Sequence, residues 1–460
     1  MSENNAKTLI TDFTQGPVLR TMLSFALPLF LSNLLQAVYN VVDMVVVGQV
    51  VGEAGLSGLS IGGDVLNFLT FVSMGFSTAS QTIIAQYIGA GWRERLSRFI
   101  GTMSTFLMLC AAALSVICLL LRGQILTWLN TPAESWDQAM AYSVTCMCGL
   151  VFIYGYNIVS AILRGMGDSR RPFLFISLAA VLNLALDLLF VCVFRWEAFG
   201  AALATVIAQA VSFLTALVYL YRSRERLGFS FAARYFRIHR EELGPLLKLG
   251  IPSAISTASI SISKLFVNSW INSYGVTVSA VSGIGHKVDL FANQMCFAIA
   301  TAGASMTGQN IGAGKYDRVR RILACAYLLN GISFVIVCTV MALFPQAIYG
   351  IFTSDADVLL VCAEYLPITF LSFFASAVRG GMNAFNLGCG NYKFNFAVAL
   401  LDGIVARIGF SLLFGLALGM GYFGFWLGNA AAGLVPFFIG GFYYLTGWWM
   451  KTSSILSGRE

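Results

Sequence analysis

The tetrapeptide Ile-Gly-Ala-Gly stands at residues 88–91 and returns at residues 311–314, an offset of 311 − 88 = 223. The likeness extends well past the motif. Ala79, Gln86, Arg95 and Arg98 meet Ala302, Gln309, Arg318 and Arg321, and Gly165-Met166-Gly167-Asp168 meets Gly388-Cys389-Gly390-Asn391. Near the starts of the halves Ala26-Leu27-Pro28 meets Gly250-Ile251-Pro252, and near their ends Phe199-Gly200 and Leu203 meet Phe423-Gly424 and Leu427. The chain is two copies of one unit, and self-similarity at a fixed period restricts a fold more than any local motif does. The division that follows is an N-terminal lobe over 1–221, a basic linker over 222–243 and a C-terminal lobe over 244–460.

These units belong in lipid. Only 11% of the residues are charged and 58% are hydrophobic, against about 25% charged in a soluble domain. Apolar stretches of about 20 residues or more, as spanning helices require, recur along the whole length. They predict helices near 18–48, 54–86, 96–121, 137–163, 173–194 and 198–221, then 244–271, 277–309, 319–344, 357–385, 395–417 and 422–449. The expected fold is therefore an all-α integral membrane protein with about twelve transmembrane helices in two parallel six-helix repeat bundles. Pro28 and Pro252, at matching positions, are expected kink sites. Met1–Gln15 is polar and the first apolar run is too long for a signal peptide, so the first helix is expected to do the targeting. The ten cysteines are scattered, with no CxxC, and read as small packing residues.

Loop charges orient the spans. Arg93, Arg95 and Arg98 follow span two, Arg164, Arg170 and Arg171 follow span four, and Lys315, Arg318, Arg320 and Arg321 follow span eight. The linker adds Arg222, Arg224, Arg226, Arg234, Arg237 and Arg240, whereas the opposite loops offer little beyond Arg122 and Arg195. The positive-inside rule puts both termini in the cytoplasm of a cell-membrane protein that crosses many times. Both Ile-Gly-Ala-Gly loops then share that side, so the halves run parallel. Parallel repeats suggest two bundles around a central cavity, a layout typical of secondary transporters. The linker mixes its arginines with Phe229, Phe231, Tyr235, Phe236 and Ile238, and reads either as an amphipathic helix on the anionic leaflet or as an ordinary basic connection. Trp448 and Trp449 before Lys451 fit an interfacial belt closing the last span.

Polar residues inside the spans carry the functional signal, because a carboxylate at mid-bilayer costs about 2.5–3.5 kcal/mol on insertion scales. Asn33, Gln36, Asn40 and Asp43 share one face of span one, next to Tyr39. Span five carries Asn183 and Asp187 at i and i+4, and span six carries Thr205, Gln209 and Ser212 on one face. Span two carries Ser57, Ser60, Asp64 and Asn67, and span four adds Asn157. Converged inside one bundle, these carboxylates, amides and hydroxyls make a hard-cation or proton site. The second half differs. The partner of Asp187 is Phe410, that of Asp64 is Lys287, and that of Asp43 lies close to Val267. Its polar groups are Lys264, His286, Lys287, Asp289, Asn293, Arg379 and Arg407. Ser282, His286, Asp289 and Asn293 form one stripe. Lys264 and Lys287 either snorkel or neutralise Asp289 and Asp402. The asymmetry places ion coupling in the first bundle.

Enzyme signatures are weak. Gly58-Leu59-Ser60-Ile61-Gly62 matches G-x-S-x-G but lies within an apolar helix, where it reads as packing. With only His239 and His286 present, a Ser-His arrangement is not expected. There is no H-E-x-x-H and no Walker motif, so ATP is not expected to drive the chain directly.

Taken together, Gly16-Pro17-x-x-Arg20, Ala26-Leu27-Pro28, Tyr39-x-x-x-Asp43, Gln86-x-Ile88-Gly89-Ala90-Gly91, Arg164-Gly165-Met166-Gly167-Asp168 and Gln309-Asn310-Ile311-Gly312-Ala313-Gly314 resemble the multidrug and toxic compound extrusion (MATE) family, over nearly the whole chain. The resemblance implies a twelve-helix antiporter that exports bulky, often cationic compounds against an inward flow of protons or sodium ions. It implies that the ion is taken by Asp43, Asn183, Asp187 and Thr205, which are also the metal ligands if the ion is sodium. Some relatives carry acidic residues in helices seven and ten, where this chain offers Lys264 and Arg379. The expected mechanism is alternating access. Tyr39, Asn40, Gln36, Asp64, Asn157, Lys264, His286, Asp289 and Arg407 are expected to line or support the substrate cavity between the lobes. Its substrates are expected to be lipophilic cations, which aromatic faces and carboxylates attract. The bilayer and small molecules are the expected partners, with no nucleic acid and no cofactor beyond the coupling ion. A flippase or exporter of a lipid-linked or anionic compound is the rival within the superfamily, and an intramembrane enzyme the more distant one.

Overall fold

The computed structural model describes residues 9–451, apart from the side chains at 40, 43–45, 53, 54 and 292. Among the described residues there is no strand. Hydrocarbon offers backbone amides and carbonyls no partner, so long apolar runs satisfy them internally as helices. The first half contains α1 (Val18–Val51), α2 (Glu53–Gly89), α3 (Arg93–Leu120), α4 (Trp136–Gly165), α5 (Arg170–Asp187) and α6 (Glu197–Ser223). The second contains α7 (Arg240–Asn272), α8 (Val276–Gly312), α9 (Tyr316–Leu343), α10 (Ala356–Cys389), α11 (beginning at Tyr392–Leu400) and α12 (Gly421–Ala432, resuming as Val435–Leu445). Eleven described segments are long and apolar enough to cross a membrane. The long helix outside that set is α8, which carries His286, Lys287 and Asp289.

Two compact units emerge, and each draws the start of its partner half's first helix. One comprises Met1–Asp12 and Leu31–Gly250, the other Phe13–Phe30 and Ile251–Glu460. Helix α1 therefore changes unit just beyond Pro28, and α7 changes unit just before Pro252. Both prolines sit inside continuous helix, where each removes one backbone hydrogen bond.

The repeated motif builds the joints that hold these lead-in segments. Each copy ends its helix in a turn closed by a left-handed glycine, Gly91 at φ 73° and Gly314 at φ 71°. That conformation is cheap only for glycine. Past the turns stand the matched Arg95 and Arg318. In the second unit, Arg318 Nε donates to the Phe13 carbonyl at 3.1 Å, and Gln309 Oε1 accepts from the Phe13 amide at 3.0 Å. Asn310 Nδ2 donates to the same carbonyl at 3.1 Å. In the first unit, Arg95 Nε donates to Glu242 Oε1 at 3.0 Å, and the Tyr87 hydroxyl donates to Glu242 Oε2 at 2.7 Å. Glu242, in the first turn of α7, is fully buried, and the Arg95 guanidinium also lies over the Tyr87 and Trp92 rings.

The linker does not form an amphipathic helix. Between the end of α6 and the start of α7 its one helical piece is a single 3-10 turn, Ala233–Tyr235, and the chain is stitched along α3. Thr102 Oγ1 donates to the Arg237 carbonyl at 3.1 Å, Thr105 Oγ1 to the Phe236 carbonyl at 3.3 Å, and the Ser230 amide to Ser97 Oγ at 3.1 Å. Gly101 permits this approach, since a Cβ there would stand 1.9 Å from the Tyr235 carbonyl oxygen. Within each unit the fourth helix is central: α4 packs on α2, α3 and α6, as α10 packs on α8, α9 and α12.

Two expectations follow. Arg95→Ala strands the buried Glu242 carboxylate and should cost about 3–5 kcal/mol. Arg318→Ala loses hydrogen bonds to carbonyls and should cost about 1.5–3 kcal/mol. Thermal unfolding in detergent checks the order; equal losses would contradict it. Gly101→Val should lift the linker from α3, so that trypsin cuts at the 222–240 arginines faster while the helical circular dichroism is kept.

Candidate functional site

In the first unit, α5 and α6 face each other with their polar residues inward. Asn183 is 3% exposed and Asp187, one turn further along, 1%. The Asn183 Nδ2 donates to Thr205 Oγ1 at 3.4 Å, and its Oδ1 has no hydrogen-bond partner among the described residues. Asn183, Thr205, Gln209 and Tyr39 line a cavity of about 10 Å³ with three alanines, close to the least space that holds one water. Gln209 Oε1 is likewise buried without a partner among the described residues. Helix α5 widens into a π-helical stretch over Leu188–Val193, directly after Asp187; such stretches are frequent at functional sites. The structure thus brings together Asn183, Thr205 and Tyr39, with Asp187 adjacent on α5.

Other expected members stand elsewhere. Asn157 Nδ2 donates to Ser73 Oγ at 3.1 Å and its carbonyl accepts from Ser77 Oγ at 3.4 Å, so it fastens α4 to α2. Asp64 and Asn67 are exposed on α2 rather than gathered into the bundle. Gln36 is half-buried on α1. The side chains of Asp43 and Asn40 lie outside the described residues.

The second unit holds a knot of charges that sequence reasoning only partly anticipates. The Asp402 carboxylate accepts from Arg407 Nη2 at 3.2 Å and pairs with Arg379 Nη1 at 3.7 Å. Arg407 Nη1 donates to Asn429 Oδ1 at 2.9 Å. Asp402 lies in a π-helical stretch, Leu401–Ala406, that runs directly into Arg407. Ser263 donates to the Gly403 carbonyl, which brings α7 against this stretch. The next residue, Lys264, feels the charges of Arg407, Arg379, Asp289 and Asp402. Asp289 Oδ1 is buried with no hydrogen-bond partner among the described residues. His286, by contrast, is exposed, and Lys287 reaches the Phe352 ring, with Nζ 5.9 Å from its centroid. Asn293 Nδ2 donates back to the Asp289 carbonyl at 2.8 Å, so the polar stripe on α8 does not converge on one point. No sequence signal singles out Asn429, or the pairing of Arg379 with Asp402, because the partners sit on different helices.

The repeat sets these two groups of residues against each other. The position matching Thr205 is Asn429, at the offset 429 − 205 = 224 already set by Phe199 and Phe423. In the first unit that position meets an amide with an unused oxygen. In the second it holds a guanidinium.

The same fold and repeat appear in known proteins. The MatE family model matches twice, over residues 28–189 and 252–413. A probable multidrug resistance protein, YoeA of Bacillus subtilis, is 30% identical over 377 residues, 81% of each chain. The probable multidrug resistance protein NorM of Thermotoga maritima is 24% identical over 454 residues, 96% of this chain and 95% of its own. Among solved structures, an outward-facing multidrug resistance MATE family transporter of the MOP superfamily superposes with a TM-score of 0.88 at 22% identity, over 97% of this chain and 99% of its own. A MOP superfamily transporter from Pyrococcus furiosus, described as having a binding pocket of reverse polarity that suggests a different function, gives 0.87 at 21% identity over 97% and 99%. Two matches of the family model, one per half, and a relative sharing 30% of residues over most of both chains place this protein in the MATE family, a membrane transporter and not an enzyme.

Proposed function

We propose that the chain is a cation-coupled exporter of lipophilic cationic drugs and toxins in the bacterial cell membrane, with both termini cytoplasmic and the coupling ion taken in the first unit. The observation that carries this reading is the contrast between the two units. Asn183 Oδ1 lies buried and unpartnered among the described residues beside Thr205, in a small cavity one turn from the buried Asp187. In the second unit the corresponding region is already filled by Arg407, held by Asp402 and Asn429. A guanidinium tethered to the chain cannot leave, so room for an exchangeable cation belongs to the first unit. Asp187 and Asp43 supply the charge and Asn183 and Thr205 neutral oxygens, a donor set that suits a proton or sodium.

Ion binding and drug binding then oppose each other, and the opposition is reciprocal: whatever factor the ion takes from drug affinity, the drug takes from ion affinity. Each net charge entering gains about 2.3 kcal/mol per 100 mV of membrane potential, which drives export uphill by alternating access.

A second reading, export of a compound with an acidic or lipid-linked headgroup, is favoured by one observation. Lys264, Arg379 and Arg407 outnumber Asp289 and Asp402 by one charge within the same cluster, and an unbalanced charge at depth is costly.

The test uses proteoliposomes loaded with a fluorescent lipophilic cation, with proton and sodium gradients imposed separately. Asp187→Asn and Asp43→Asn should each abolish gradient-driven export while insertion is unchanged. Asn183→Ala should weaken it at least about tenfold, the worth of one good interaction of about 1.4 kcal/mol. Undiminished export by Asp187→Asn would sink the site; export of an anionic dye instead of the cation would favour the second reading. Asp402→Asn leaves Arg407 buried without its counter-charge, so it should destabilise the protein by about 3–5 kcal/mol; a shift in unfolding temperature reads this.

A further inference from the structure

The first unit contains an apolar groove that the ion site does not use. Helices α3 and α6 both pack on α4 and leave a channel between them. Ile100, Ser104 and Met108 form one wall, Phe213 and Leu217 the other, and Ile158 the floor. Phe231 and Phe236 of the linker close it at one end. These two rings meet at 5.3 Å, and Thr105 binds the Phe236 carbonyl, so the roof is a built element. The volume is about 280 Å³, just under the roughly 300–1,000 Å³ of pockets for drug-sized ligands. Leu109, Leu214 and Val218, beside the groove on α3 and α6, are exposed, so its open side continues into a lipid-facing surface.

The second unit shows that this space is not forced by the fold. Ser104 corresponds to Tyr327 (327 − 104 = 223), Ile158 to Gly381 (381 − 158 = 223) and Phe213 to Phe437 (437 − 213 = 224). Tyr327 lies edge-on to Phe437 at 6.1 Å. A Cβ at Gly381 would stand 2.7 Å from the Tyr327 ring, so the glycine makes room for the tyrosine. The second unit plugs its own groove, whereas the first has a serine where the plug would be.

We propose that this groove binds one acyl chain of an anionic phospholipid, whose headgroup is held by linker arginines at the roof. The charge argument is local. Arg234 and Arg237 flank the roof and are exposed, and basic groups beside a membrane attract anionic headgroups. The chain fits because the walls are apolar and narrow, and the bilayer presents such chains along the open side.

The full-length protein in lipid nanodiscs tests this, with native mass spectrometry counting retained phosphatidylglycerol and, separately, phosphatidylcholine. One phosphatidylglycerol should be retained per chain in preference to phosphatidylcholine. Ser104→Tyr with Ile158→Gly, which copies the second unit's plug, should lower retention at least about tenfold by excluding several methylenes. Should that pair fail to fold, Met108→Trp narrows the same channel and carries the test. Arg234→Gln with Arg237→Gln should lower phosphatidylglycerol retention about tenfold and leave phosphatidylcholine unchanged. Wild-type retention in a folded plugged variant overturns the proposal, as does equal retention of both lipids. Displacement of the lipid by a lipophilic cation, with loss of that cation's binding in the plugged variant, would reassign the groove to drug.

Discussion

Two guanidinium groups at matching repeat positions hold the lead-in segments of the two halves. Arg318 fixes residues 13–15 before α1, and Arg95 fixes Glu242 in the first turn of α7. They use different chemistry. Arg318 bonds neutral carbonyls, which need no charge partner, whereas Arg95 meets a fully buried carboxylate that depends on it. These joints add polar anchors to segments that packing also holds, since Phe13, Met22, Phe25 and Leu29 are buried in the second unit's apolar core and the linker runs along α3. The Ile-Gly-Ala-Gly motif matters because its left-handed glycine turns the chain back at the right place to present the arginine.

The halves share this framework and diverge in what they put inside it. The first leaves the amide oxygens of Asn183 and Gln209 without hydrogen-bond partners among the described residues, and an apolar groove open. The second fills both corresponding places with its own side chains, Arg407 in one and Tyr327 in the other. A repeat position can therefore be open space in one unit and a packed contact in the other. The second unit's charges are compensated chiefly by one another, Asp402 being shared between two arginines. That arrangement stiffens the helices it joins.

Much of this is legible in the sequence, for physical reasons. The spans are, because lipid allows long apolar runs only one satisfied backbone conformation. Asn183 and Thr205 are, because a polar group on an apolar helix is costly in lipid and therefore turns toward the bundle interior. Asp64 does not join Asn183 and Thr205 inside the bundle, because a stripe on one helix does not say which way the helix is turned, and Asp64 is exposed on its unit. Glu242 looks like an ordinary acidic residue in a first helical turn, since its partners Tyr87 and Arg95 lie far back in the chain (242 − 87 = 155; 242 − 95 = 147). The linker's alternation of arginines with aromatics suggests a helix on a membrane surface. The hydroxyls of α3 bind its backbone instead, a competition that composition does not register.

The crossing of α1 into the second unit also sets an order of assembly. Ribosomes deliver residues 13–15 first, but Gln309, Asn310 and Arg318, which bind them, follow 296 to 305 residues later. Helix α1 is thus fastened at its start only after most of the second half's α8 has been made. Until the second half is made, its lead-in segment lacks these partners. A nascent chain halted in the linker would already hold the contact between Asn183 and Thr205, while its first helix still lacked these partners at one end.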